Sequence, residues 1–204
     1  MKNIATSNSI IIAGRGGQGM VTAGDLIARS AVKQGLYAMS MPSFGVERRG
    51  APARSFVRIS ESPILLRCEI TEADTLCMCD PSIWRYHDFL STTKEDALLI
   101  FNTPLSPENL KKEIVALQFS SGKKIKDHQI LTIDATKLAI EMIGRPVANT
   151  AIMGAFAAGT SLISLDLMTD LIRDHFGALG ESNSALAELT YNKIAYQMEK
   201  RFGN

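Results

Sequence analysis

Cysteine is scarce in this chain of 204 residues: Cys68, Cys77 and Cys79 are all there is. An odd, low count excludes a disulfide framework and fits a reducing cytosol. Charge of one sign is also lacking. Twenty-two Lys and Arg against 21 Asp and Glu leave a net +1, which argues against a nucleic-acid binder or a polybasic membrane binder. No hydrophobic run is long enough to span a bilayer; the longest, Ala151–Ala158 with its flanks, is short and rich in glycine and alanine. Met1–Ser9 is polar and has no signal-peptide pattern, so the expected location is the cytoplasm. Repeats, linkers and low-complexity segments are missing as well. A single domain over 1–204 is expected, large enough to bury roughly 70% of its unfolded surface without a staple.

What is present alternates between strand and helix signals. Ser9–Ala13 reads as a buried strand, Gly14–Gly19 as a loop and Met20–Gln34 as a helix ended by Gly35. Leu36–Met41 reads as a strand stopped by Pro42, with a loop to Pro52. Ala53–Ser60 alternates Ser55, Val57 and Ile59 against Arg54, Phe56 and Arg58, the period of a strand with one exposed face. Thr75–Cys79, Ala97–Phe101 and Ile130–Ile133 are further strands. Asp80 followed by Pro81, and Ser106 by Pro107, read as helix starts. A helix near Ala135–Ile143 stops at Gly144. From about 148 to 204 the chain reads as helix only: Asn149 capping a segment to Ser161, a second from Ser164 to Gly177, and a last near Ser184–Phe202. In that last helix Ala187, Tyr191, Ile194, Met198 and Phe202 share a face. The expected fold is α/β, Rossmann-like, with a mostly parallel sheet flanked by helices and C-terminal helices. Ala53–Ser60 is the candidate exception to parallel pairing, because no helix precedes it.

Gly14-Arg15-Gly16-Gly17-Gln18-Gly19 places G-x-G-x-x-G between a strand and a helix, the context a dinucleotide fingerprint requires. Glycines let the backbone turn tightly and approach a ligand, and the helix N-terminus offers N–H groups to an anion. An NAD site also wants an acid at the end of the second strand for the ribose. Leu36–Met41 has none. The loop therefore suits a phosphate, or is a glycine-rich turn that binds nothing.

The segment Pro42–Arg54 concentrates charge in a neutral chain. Arg48, Arg49, Arg54 and Arg58 fall within eleven residues. Arginines in a crevice beside Arg15 suit a polyphosphate; a surface loop with Glu47 paired to one arginine is the plainer reading.

Three segments in order carry a family resemblance: G-R-G-G-Q-G at 14–19, P-S-F-G-V-E-R-R-G-A-P-A-R-S-F-V-R-I-S at 42–60, and R-P-V-A-N-T-A-I-M-G-A-F at 145–156. Together they resemble the gamma subunit, or gamma-type domain, of 2-oxoacid:ferredoxin oxidoreductases. The wording F-G-V-E-R-R-G-A-P looks most like the pyruvate and branched-chain ketoacid branch. The resemblance implies a Rossmann-like subunit of an oxidoreductase, inactive alone, within a complex of alpha, beta and delta subunits. Such complexes decarboxylate a 2-oxoacid, pass the acyl group to coenzyme A and electrons to ferredoxin. Thiamine diphosphate, magnesium and iron–sulfur clusters are implied on partner subunits. The gamma-type chain is linked to coenzyme A, which makes Gly14, Arg15, Gly16, Gly17, Gln18, Gly19, Phe44, Gly45, Glu47, Arg48, Arg49, Gly50 and Asn149 the candidate binding residues; no catalytic or metal residue is expected.

The sequence has no thiamine-type G-D-G with a following N-N pair and no C-x₂-C-x₂-C run. Cys77 and Cys79 fall on one face of a strand, as core thiols or, less expectedly, as ligands. His87, His128 and His175 are expected at the surface. Ala151, Ala155 and Gly159 form a small-residue stripe suited to packing within the domain or to a subunit contact. Two other functions stay open: a stand-alone NAD(P)-dependent oxidoreductase, and a structural spacer that binds no small molecule.

Overall fold

The computed structural model describes residues 7–43, 52–80, 82–83, 85, 88–117 and 122–202. Its strands are β1 (Asn8–Arg15), β2 (Tyr37–Ser43), β3 (Pro52–Ser60), β4 (Ala73–Met78), β5 (Thr93–Asn102) and β6 (Ile130–Ile133). They form one sheet in the order β2-β3-β1-β4-β5-β6. β1, β4, β5 and β6 pair in parallel, whereas β3 is antiparallel to both β1 and β2. The sheet is mostly parallel, and β3 is the exception the helix-free connection predicts.

The helices are α1 (Met20–Lys33), α2 (Pro107–Ala116), α3 (Ala135–Ile143), α4 (Asn149–Thr160), α5 (Leu165–Phe176) and α6 (Gly180–Phe202). Ile10, Ile12, Val57, Cys77 and Ile100 meet α1 and the C-terminal helices on one face of the sheet. Ile11, Phe56, Leu76, Met78 and Phe101 meet α2 and the segment around Phe89 on the other. Residues alternate between these layers as strand geometry dictates. α4 is buried along nearly its whole length, so the small-residue stripe packs inside the chain. Gly159 lies on Leu131 and Leu98, and Gly154 lies on the backbone of α6 at Ala187.

Several boundaries differ from expectation, each for a physical reason. Pro42 does not stop β2: it pairs with Ser55 inside the strand. β2 is the sheet edge, where a missing N–H costs no ladder bond. The Arg54/Phe56/Arg58 face of β3 is not solvent-exposed. Phe56 and Arg58 are buried and only Arg54 is open, because segment 61–72 folds back over that face. The Arg58 guanidinium holds it there, donating to the carbonyls of Leu66, Cys68 and Glu69 at 3.3, 2.7 and 3.4 Å. No helix follows Asp80 among the described residues. Ser82 and Ile83 lie in a turn, and the next helical residues are the 3₁₀ turn Phe89–Thr92, capped by Asp88. Asn149 is the first residue of α4 rather than its cap; its side chain accepts from the adjacent Thr150 N–H at 2.9 Å. α6 begins at Gly180, four residues before the expected Ser184. Its Ala187 and Ile194 are buried, with Tyr191 and Met198 packed against the same core. His128 and His175 are exposed; His87 lies outside the described residues.

Candidate functional site: the crevice at the carboxyl edge of the sheet

Chain direction creates the site. From β1 the chain turns through α1 to β2 on one side; β4, on the other side of β1, leads on to β5. The carboxyl ends of β1 and β4 therefore diverge, which makes the crevice that open α/β sheets use for ligands. A cavity of about 480 Å³ lies there, lined by Gly16, Gly17, Gln18, Cys79, Asp80, Thr136 and Pro146.

The glycine loop forms one wall. Gly14 and Arg15 are still in β1, paired with Ala53 and Pro52. A Cβ at Gly14 would sit 2.3 Å from Met20 Sδ and 2.8 Å from Gln18 Oε1, so a side chain there would push aside the Gln18 amide that faces the loop. Gln18 N–H donates to Arg15 O at 3.1 Å and closes the turn, and Arg15 N–H donates to Gln18 Oε1 at 2.8 Å. Gly17 (φ 94°) and Gly19 (φ 81°) adopt the left-handed conformation that excludes ordinary side chains. Gly19 also lies against Asn149, whose Nδ2 would be 2.6 Å from an added Cβ. This contact joins the first and third family-matched segments across 130 residues of sequence.

The opposite wall follows β4. Cys79 N–H donates to Ala13 O at 2.7 Å and fixes the start of the turn. Asp80 Oδ2 accepts from Gln18 Nε2 at 2.8 Å and lies 3.4 Å from Arg15 Nε. Asp80 Oδ1 accepts from Ser82 N–H at 2.8 Å and from the Ser82 hydroxyl. Arg15 Nη2 donates to Ser82 Oγ at 2.7 Å. Burial opposes ionisation of Asp80, but the Ser82 and Gln18 hydrogen bonds and the Arg15 charge outweigh it and hold the carboxyl below its ordinary range. At the floor, Asn102 Nδ2 donates to Cys79 O and to Thr136 Oγ1, both at 2.7 Å, and its Oδ1 accepts from Thr136 N–H at 3.1 Å.

Gly14, Arg15, Gly16, Gly17, Gln18, Gly19 and Asn149 thus come together. Phe44, Gly45, Glu47, Arg48, Arg49 and Gly50 lie outside the described residues, but the positions flanking them, Ser43 and Pro52, sit at this same edge, Pro52 opposite Arg15. Arg54 is exposed two pairs back, opposite Ala13, whereas Arg58, on the same face of β3 but four residues further from this edge, is buried under segment 61–72 and belongs to no arginine cluster here. Asp80, Ser82, Asn102 and Thr136 were missed by sequence reasoning; Asp80 was visible only as a cap, and nothing local marks a carboxylate that answers a loop 62 residues earlier.

Cys77 and Cys79 are core residues. Burial, then the neighbouring Cys79, pushes the Cys77 thiol well up; burial, then Asp80, pushes Cys79 to about 12. Among the described residues no group of three His, Cys, Asp or Glu side chains is arranged for a metal, and no helix is long and apolar enough to cross a membrane.

The profile of the pyruvate ferredoxin/flavodoxin oxidoreductase family matches residues 9–193. The chain is 40% identical over 187 residues to the pyruvate/ketoisovalerate oxidoreductases common subunit gamma of Thermococcus kodakarensis, covering 91% of this chain and 96% of that one. It is 38% identical over 184 residues to pyruvate synthase subunit PorC of Methanothermobacter marburgensis, covering 90% and 95%. Its fold matches the crystal structure of pyruvate oxidoreductase subunit PORC from Thermotoga maritima with a TM-score of 0.76 at 25% identity, covering 92% and 97%. It also matches part of a 2-oxoglutarate:ferredoxin oxidoreductase from Magnetococcus marinus with 2-oxoglutarate, coenzyme A and succinyl-CoA bound. That TM-score is 0.69 at 22% identity, over 95% of this chain and 32% of that one, a likeness of fold.

Proposed function

The chain belongs to the pyruvate ferredoxin/flavodoxin oxidoreductase family, in its gamma or PorC subunit class, and we propose that it serves a cytoplasmic 2-oxoacid:ferredoxin oxidoreductase as a subunit that is inactive alone. In this reading the assembled enzyme decarboxylates pyruvate or a branched-chain 2-oxoacid, transfers the acyl group to coenzyme A and delivers electrons to ferredoxin. Alpha, beta and delta subunits hold thiamine diphosphate, magnesium and iron–sulfur clusters, which supply the carbanion chemistry and the electron path. This chain contributes assembly contacts and part of the coenzyme A site.

The observation that carries the coenzyme A reading is the convergence at one sheet edge. The glycine loop and the N-terminus of α1 wall a 480 Å³ cavity at the switch point, and both flanks of the arginine segment end at the same sheet edge, Pro52 beside Arg15 and Ser43 one strand further out. Backbone amides at Gly16 and Gly17 and the positive end of α1 suit a phosphate. Arg15, whose side chain is 36% exposed, adds a guanidinium to the wall, and Arg48 and Arg49 are the candidates for the remaining phosphate charge.

Two measurements test this. A tagged chain purified anaerobically from its host should bring down the thiamine- and cluster-bearing subunits together with 2-oxoacid- and coenzyme A-dependent dye reduction. A chain recovered alone and inactive counts against the subunit role. In the assembled enzyme, Arg49→Ala should raise the KM for coenzyme A and spare that for the 2-oxoacid. An unchanged coenzyme A KM removes the arginine segment from the site.

A further inference from the structure

Asp80 is nine-tenths buried in the crevice wall, and its carboxylate is fully occupied. An ionised carboxylate offers about four acceptor directions. Here the Ser82 N–H and O–H take Oδ1, while Gln18 Nε2 and the Arg15 guanidinium take Oδ2. The donors it holds are themselves in the candidate site. Because Gln18 gives Nε2 to Asp80, its amide has one orientation, with Oε1 turned to the N–H of Arg15. A flipped amide would set donor against donor at Arg15 and acceptor against acceptor at Asp80. Arg15 is fixed in the same way. Its Nε faces Asp80, and its Nε and Nη2 donate to Ser82 Oγ at 3.2 and 2.7 Å. Asp80 is anchored in turn, since the preceding Cys79 gives its N–H to Ala13 and its carbonyl to Asn102.

We propose that Asp80 is a positioning residue for the anionic substrate of this crevice: through Gln18 and Arg15 it holds the glycine loop in the shape that presents its amides to a phosphate, without touching that phosphate itself. This rests on the reading of the crevice as a coenzyme A phosphate site. It runs against the simple electrostatic expectation, in which a carboxylate close to an anion site weakens binding and its removal tightens it.

The sign of the effect is the test. Asp80→Asn in the assembled oxidoreductase keeps the shape but loses the charge-assisted bonds. The KM for coenzyme A should rise about tenfold (~1.4 kcal/mol), with kcat and the 2-oxoacid KM within about twofold, and Asp80→Glu should recover part of the loss. A coenzyme A KM that is unchanged or lower overturns the proposal. Should Asp80→Asn not assemble, Ser82→Ala removes one donor to Asp80 together with the hydroxyl that accepts from the Arg15 guanidinium, and leaves the charge. It should raise the coenzyme A KM at least roughly threefold, the loss expected for a single hydrogen bond, and an unchanged value overturns the proposal equally. Arg49→Ala separates the two levels. If it raises the coenzyme A KM and the Asp80 and Ser82 variants do not, the positioning role alone is lost. If none of the three moves it, the crevice is not a coenzyme A site.

Discussion

Gly154→Ala adds one carbon at the crossing of α4 and α6, and the structure says where it would go. The new Cβ would lie 2.0 Å from the Ala187 carbonyl oxygen, 2.8 Å from its carbon and 2.3 Å from Thr190 Oγ1. A carbon and a carbonyl oxygen rest no closer than roughly 3.3 Å, so the α6 backbone has to retreat by about 1.3 Å or α4 has to tilt. Thr190 cannot simply rotate away, because its hydroxyl donates to Leu186 O at 3.1 Å and to Ala187 O at 3.0 Å. Overpacking a core costs about 1–3 kcal/mol, and a backbone obstacle puts this site at the upper end. Replacing a helical glycine with alanine returns about 0.8–1 kcal/mol. The net loss is about 2 kcal/mol, or roughly 4–8 °C in Tm for a chain of this size. Gly159→Ala is the internal control: its Cβ would meet Leu131 Cδ1 at 2.9 Å and Leu98 Cδ2 at 3.1 Å, ends of flexible side chains that can shift, so its effect should stay within about 1 kcal/mol. Circular-dichroism melts of the three proteins decide. A Gly154→Ala protein as stable as wild type, or a Gly159→Ala protein that loses more, refutes the packing argument.

Alkylation should separate the cysteines. Iodoacetamide at pH 8 should label exposed Cys68 in the folded chain and reach Cys77 and Cys79 only after denaturation; labelling of Cys79 in the native protein would contradict its burial. Because the fold raises both buried thiols, Cys79 to about 12, the unfolded chain releases those protons first. Their contribution is intact below about pH 9 and lost as pH climbs toward the folded value, at up to ~1.4 kcal/mol per pH unit for each thiol. Urea midpoints of Cys79→Ala should therefore fall less steeply than wild type between pH 9 and 11, and parallel slopes would exclude this cause. Arg58→Met should release segment 61–72, whose Leu66, Cys68 and Glu69 carbonyls it holds, at a cost of about 2–4 kcal/mol. Limited proteolysis should then cut within that segment at least tenfold faster, and equal protection would show that Arg58 does not anchor it.

Elements written in local chemistry were legible. The glycine at 35, the serine–proline pair at 106–107 and the glycine at 144 end or start helices where they should, because capping involves neighbours in sequence. The order of strands and helices, and the reversed β3, also followed from what does and does not lie between strands. The errors share a different origin. Pro42 was misread because edge position is decided by the whole sheet, and Arg58 because period-two alternation does not say whether a later segment will cover the polar face. Asp80 looked like a helix cap by itself; its partners, Gln18 and Arg15, come from the end of another strand. The candidate site was half visible for the same reason. The glycine loop is a local motif, whereas the wall opposite it exists only once β4 lies beside β1.

Strand order also bears on the nucleotide reading, through an insertion that no motif search detects. In a dinucleotide fold the strand after the glycine loop's helix lies directly beside the first strand, so an acid at its end reaches the ribose. Here β3 lies between β1 and β2, which moves the end of β2 from one strand spacing to two, about 9–10 Å from β1. Supplying the missing acid should therefore not create an NAD site. Ser43, the last residue of β2, faces Glu69 across a 3.2 Å hydrogen bond, so a carboxylate already stands near that strand end and lies on the wrong side of β3. A hydrogen bond to a ribose hydroxyl needs about 2.7–3.2 Å, and the extra strand adds roughly 5 Å to the span. Ser43→Asp should leave NADH fluorescence and calorimetric titrations indistinguishable from wild type. Micromolar NADH binding gained by that single change would mean that the ligand lies across β3, and that the glycine loop is a dinucleotide site after all.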